Sequence, residues 1–134
     1  MNSKTEGVQE ENSFDRAVAI TSLDGEDAAF AGLGASLAEI RKLKGVAGYI
    51  MRGISSAILD LDEDDKASQF AFLSYQLNES CLEIAKLLSV AEVESCILEG
   101  KALKVLFMKI GENKICVFME TDTNHVGIIK RILI

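Results

Sequence analysis

A chain of 134 residues, 49% apolar and 26% charged, is long enough for one ordinary domain and has the composition of a soluble globular protein. Its formal net charge of -7 opposes binding to nucleic acid, which depends on Lys and Arg displacing counterions from phosphates. No apolar run reaches the ~18 residues of a membrane-spanning helix and the opening MNSKTEGVQEENSF is too polar for a signal peptide, so a cytoplasmic chain without membrane insertion is expected.

Residues 1–13 are polar and predict a mobile tail. The β-leaning run FDRAVAITSL, 14–23, is consistent with an added strand, a short helix or a packed extension, so residues 1–24 are taken as an N-terminal extension to a single domain over 25–134. Asp24 can cap a helix over about 25–44, with Glu26 and Asp27 in its first turn. Phe30, Leu33, Leu37, Ile40 and Leu43 form its apolar stripe, Gly45 its stop, and Gly32 and Gly34 allow close packing on a sheet.

GVAGYIMRG, residues 45–53, has the glycine spacing of a phosphate-binding loop at Gly48 and Gly53. Such a loop requires Lys-Ser or Lys-Thr directly after its last glycine and then a helix, whereas Ile54 and Ser55 follow here and the next run reads as a strand. VAGYIM and ISSAIL are therefore the strands of a hairpin, with Arg52 and Gly53 at its turn.

DLDEDDK opens a long helix over about 63–89. Asp60, Asp62 and Asp64 have the alternation of a calcium loop, but that loop needs Gly at its sixth position and a carboxylate at its twelfth, where Asp65 and Ala71 stand. Helix initiation explains the acids instead, with Asp62 as N-cap and Glu63, Asp64 and Asp65 in the first turn. Phe70, Leu73, Leu77, Cys81, Ile84 and Leu88 make one stripe for the core. Ala71, Tyr75 and Leu82, with Phe72 beyond them, make a second that a monomer leaves in water. The runs 92–100, 101–110 and 113–122 read as a three-stranded meander. Its middle strand is apolar on both faces, and its first carries the polar pattern of an edge. TNHVGIIKRILI closes the chain as a short helix, capped at Thr121 or Thr123, with Val126, Ile129, Ile132 and Leu133 at helical spacing.

The pattern predicts an α+β domain, one five-stranded antiparallel sheet with helices on both faces. Pairing of the polar edge with a second copy would hide it and bring two long helices together. The expected dimer or partner interface is Ala71, Phe72, Tyr75, Leu82, Glu92, Glu94 and Cys96. The three cysteines, Cys81, Cys96 and Cys116, form no CxxC pair and read as reduced, inert thiols; with one histidine, His125, they have no metal-ligand spacing. His125 itself reads as a surface residue of the last helix's first turn. No catalytic constellation, metal site or cofactor site emerges.

The helix ending in LKGVAGYI, the hairpin, the long helix, the meander and the closing NHVGIIKRIL together resemble the Roadblock family of dynein light-chain type domains, over about residues 27–133. The resemblance implies a profilin-like α-β-α sandwich that dimerises through its edge strand and long helix. It also implies a non-catalytic platform that regulates or scaffolds a Ras-like small GTPase, or a light-chain subunit of a larger complex. Many members carry Asp-Gly at the first hairpin turn, where this chain has Arg52 and Gly53. Among the four arginines, Arg16, Arg41, Arg52 and Arg131, the hairpin places Arg52 as the most projecting candidate for a GTPase contact. A small-molecule sensor of PAS-like type is the alternative, and it requires a cavity where these strands offer filling side chains.

Overall fold

The computed structural model describes residues 3–10, 17–23, 28–89 and 91–134. Asp24, Glu26 and Asp27, expected to open the first helix, lie outside the described residues. The sheet contains β1 (Ser3–Glu10), β2 (Ala17–Leu23), β3 (Val46–Arg52), β4 (Ser56–Leu61), β5 (Ser95–Glu99), β6 (Leu103–Ile110) and β7 (Asn113–Glu120). All neighbours are antiparallel, in the order β1-β2-β4-β3-β7-β6-β5. The anticipated five-stranded sheet is the continuous block from β4 to β5. A hairpin of β1 and β2 extends it, so Ser3–Glu10, within the expected polar tail, is a strand whose backbone pairs along β2. Sequence polarity does not report that pairing, because a β-ladder is made by main-chain groups.

Helices α1 (Ala28–Ile40) and α3 (His125–Leu133) cover one face, and α2 (Ala67–Leu88) covers the other. Strand alternation sorts the core accordingly. Tyr49, Met51, Leu106, Met108, Val117 and Met119 pack with Phe30, Leu37, Ile40, Ile128 and Ile132 under α1 and α3. Ile50, Val105, Phe107, Cys116 and Phe118 pack with Leu77 and Cys81 under α2, where the Phe70 ring stacks on Phe118 at 4.5 Å between centroids. Both faces of β6 are thus buried, as its sequence predicts. In α3 the buried pair is Ile128 and Ile132, while Val126 and Leu133 point outward. The helix is capped by Asn124, whose side chain accepts from the Gly127 N–H at 3.2 Å, and not by Thr121 or Thr123.

The glycines of 45–53 serve this hairpin. Gly45 (φ +92°) ends the turn after α1, and its carbonyl accepts from the Glu120 N–H at 2.8 Å. Gly48 sits at an irregularity in the β3–β7 register, where a Cβ would come within 2.5 Å of the Asp60 carbonyl oxygen. Gly53 does not take a positive φ; it is small because Phe30 and Asn113 lie 2.9 Å from where a Cβ would be.

Candidate functional site

The acidic run before α2 is used differently from its sequence reading. A turn of 3-10 helix (Asp64–Lys66) precedes α2, and Lys66 occupies the N-cap position without a side-chain cap. Asp62 is instead an ion-pair partner of Arg41, which also donates from Nε to the buried Asp60 at 3.2 Å and from a terminal nitrogen to the Val46 carbonyl at 3.2 Å. Arg41 therefore ties the end of α1 to the end of β4. Two of the three alternating aspartates, Asp60 and Asp62, thus face a guanidinium.

Along α2 the buried line is Ser74, Leu77, Cys81 and Ala85, with Phe70 and Leu73 half-buried beside it. Ile84 and Leu88, assigned by sequence to the core stripe, are exposed, because the small Ala85 takes the buried position in the last turns. The second stripe is in water: Phe72 is 64% exposed, Tyr75 48% and Leu82 50%, and Ala71 is exposed with them. Leu87 is exposed as well, on another side of the helix.

Strand β5 is the terminal strand of the sheet, bonded only to β6 among the described residues. Glu92 and Glu94 lie just before it and are exposed; Glu92 pairs with Lys109 at 2.8 Å, and the Glu94 carbonyl accepts from the Lys109 N–H at 2.9 Å. Leu82 and Glu92 meet in one cleft beside Asn78, Val93 and Lys114. Cys96 is half-buried on β5, close enough to Cys81 on α2 for a thiol hydrogen bond.

Arg52 does not project from the hairpin. It is half-buried at the end of β3, beside Ser74, Asn78 and Lys114, and the exposed tip residue is Ile54, 81% accessible. A strand's last side chain must fall on one face of the sheet, and for Arg52 that face is covered by α2.

The Cys81 and Cys116 thiols are unsuited to nucleophilic work. Burial pushes Cys116 up to about 12 despite the opposing charge of Arg52, and burial with the neighbouring Cys96 raises Cys81 to about 11. His125 stands at the start of α3 with Nδ1 3.1 Å from the Lys104 ammonium, which also donates to the Thr123 carbonyl at 2.7 Å. It holds a buried lysine, not a thiol. Among the described residues no cluster of three or more His, Cys, Asp or Glu has metal-binding geometry, and no helix is long and apolar enough to cross a membrane.

Two solved structures are similar to this one in fold. Myxococcus xanthus MglB aligns with a TM-score of 0.59 at 18% identity, covering 83% of this chain and 86% of that one. A Roadblock/LC7 domain from Streptomyces avermitilis aligns with a TM-score of 0.57 at 12% identity, covering 81% and 90%. The chain has the Roadblock/LC7 fold. No family model and no curated protein matches the sequence.

Proposed function

We propose that this protein is a cytoplasmic, non-catalytic, homodimeric interaction module that binds a Ras-like small GTPase and regulates or scaffolds it. The observation that carries the reading is the water-exposed apolar stripe of α2, formed by Ala71, Phe72, Tyr75 and Leu82 on the helix neighbouring the open edge of β5. Each such side chain gains on the order of 1.5–3 kcal/mol when fully buried, and a contiguous patch of them marks a protein-binding surface. A second copy is the self-complementary solution, because antiparallel pairing of two β5 edges satisfies both backbones and sets the two α2 helices together. Ala71, Phe72, Tyr75, Leu82, Glu92, Glu94 and Cys96 form that interface. The Roadblock/LC7 fold supports the GTPase as partner, and a light-chain role in a larger assembly would use the same surface.

The sensor alternative is disfavoured by the filling of both sheet faces with Phe107, Phe118, Leu106 and Met119, since a ligand site of that kind needs an enclosed space of roughly 300 Å³ or more. The deciding experiment is a pull-down from native lysate with the full chain, loaded with GTP analogue or GDP. Nucleotide-dependent recovery of a P-loop GTPase, lost with Tyr75→Glu, is expected. Equal recovery by the parent chain and the variant removes α2 from the account, and recovery of no GTPase in either nucleotide state removes the GTPase.

A further inference from the structure

The cysteines gather on the α2 side of the sheet. Cys96 on β5 is directly opposite Phe107 on β6, and Phe107 is directly opposite Cys116 on β7, so the register lays Cys96, Phe107 and Cys116 in one row. All three pack in the core cluster under α2, into which the helix inserts Cys81. Cys81 and Phe107 share the wall of the cleft between α2 and the segment leading into β5, and the Cys81 thiol lies within hydrogen-bond reach of Cys96. Cys96 and Cys116 stand two strand spacings apart, roughly 10 Å, with a phenyl ring between them, too far for a disulfide.

Burial separates the two members of the close pair. Cys81 is 5% exposed, whereas Cys96 is half-buried on the strand that ends the sheet, so a solute in water reaches Cys96 first. Both sit on elements with a free side. β5 is bonded only to β6 among the described residues, and the last turns of α2 expose Ile84, Leu87 and Leu88. Small side-chain rotations therefore bring the two sulfurs from contact to bonding distance without parting a buried pair of strands.

We propose that Cys81 and Cys96 are a reversible redox site, closed by peroxide to a disulfide that ties the edge strand β5 to α2. The Cys96 thiolate attacks one peroxide oxygen and the O–O bond breaks, leaving Cys96 as a sulfenic acid and releasing hydroxide, which takes up a proton as water. The Cys81 sulfur then attacks the sulfenic sulfur. The S–S bond forms, the S–O bond breaks, and the departing hydroxide takes the Cys81 proton as a second water. Two thiols and one peroxide thus give one disulfide and two waters, with two electrons passing from sulfur to oxygen. Burial raises the Cys81 thiol to about 11 and makes it a poor attacker of molecules in solution, but contact with the sulfenic sulfur supplies by proximity what it lacks in reactivity. A small thiol reopens the bond by exchange. The site lies within one chain and requires neither the second copy nor the GTPase, since edge pairing engages the main chain of β5 and leaves the Cys96 side chain under α2.

The test treats the reduced full chain with hydrogen peroxide, blocks the remaining thiols with iodoacetamide and maps tryptic peptides by mass without reduction. Cleavage after Lys86, Lys101 and Lys114 puts the three cysteines on separate peptides. Expected is a single linkage, Cys81 to Cys96 within one chain, with Cys116 alkylated and the linkage lost on addition of dithiothreitol. Cys116→Ala should form it as the parent chain does. Cys81→Ser should stop at a Cys96 sulfenic acid that dimedone captures, and should pass on to the sulfinic acid at least tenfold faster than the parent. Three alkylated cysteines after peroxide, a bond to Cys116, a Cys96 bond between two chains, or equal overoxidation of Cys96 in the parent and Cys81→Ser overturns the proposal. Thermal melting is a second readout: after peroxide the parent should melt above Cys96→Ser treated alike, by a margin that dithiothreitol removes, and the absence of that margin would count against a tie between the folded elements.

Discussion

A methyl group at position 48 would sit 2.5 Å from the Asp60 carbonyl oxygen and 2.8 Å from the Leu61 Cα, both backbone atoms of the paired strand β4. Neither can give way without parting β3 from β4, so Gly48→Ala is expected to cost about 3 kcal/mol or more in denaturant unfolding. Gly32→Ala, on the outer side of α1 with nothing within 4 Å, should be neutral or stabilising. Arg41 presents a different dependence. Its guanidinium lies against Asp60 and the Val46 carbonyl, and truncation to Ala should cost on the order of 1–3 kcal/mol by removing a charged donor from a buried carboxylate and a buried carbonyl. Lys at 41 restores a charge without the fork and should recover part of that loss. At Cys116 the thiol is raised from 9.0 to about 12, so between these pH values the unfolded chain is deprotonated while the folded one keeps its proton. Stability should therefore be intact below pH 9 and fall as pH rises toward 12, by up to a few kcal/mol. Cys116→Ala, compared as a slope of stability against pH and not as an absolute value, should flatten that decline.

At the scale of elements, the long helix shows what a sequence reveals and what it withholds. The stripe of Ala71, Tyr75 and Leu82 was legible because a helix repeats every 3.6 residues, and two apolar stripes cannot both face one sheet. Ile84 and Leu88 were misplaced in the core for the same reason: periodicity gives an angle around the axis, not the point at which a smaller residue such as Ala85 takes over the buried line. Asp62 has the right type and place for a cap, yet its carboxylate meets Arg41, 21 residues away in sequence. Arg52, read as a tip residue, lies beneath α2 for want of a register, and the row of Cys96, Phe107 and Cys116 exists only once three strands are aligned. For α2 itself the exposed stripe leads to a comparison of charge insertions. Tyr75→Glu and Leu82→Glu should weaken self-association by tenfold or more in sedimentation equilibrium, while Lys66→Glu, exposed at the helix start, should change it little. Equal effects at all three positions would mean that net charge, and not the apolar face, governs association.

For the whole molecule the two ends of the sheet have separate roles. The β1–β2 hairpin pairs along β4, with Ala17 to Ser22 opposite Leu61 to Ser56, while β5 lies at the other end with four strands between it and β2. Removal of residues 1–23 should therefore uncover the β4 edge without touching the β5 edge or α2. If residues 25–134 are a domain in their own right, the shortened chain should still unfold in one cooperative transition, with Tm lowered by less than about 10 °C, because both core clusters hold a full set of sheet and helix side chains from Phe30 to Ile132. Its mass by light scattering at micromolar concentration should remain that of a dimer, as the full chain's should be twice 14.5 kDa. A full chain at 14.5 kDa that does not shift on dilution would remove the dimer. A truncated chain that becomes monomeric while the full chain is dimeric would move the self-association surface from β5 to the hairpin. A truncated chain without a cooperative transition would make β1 and β2 part of the domain. The exposed β4 edge gives a further signature, since six newly unpaired strand residues should favour slow, concentration-dependent aggregation that the full chain does not show.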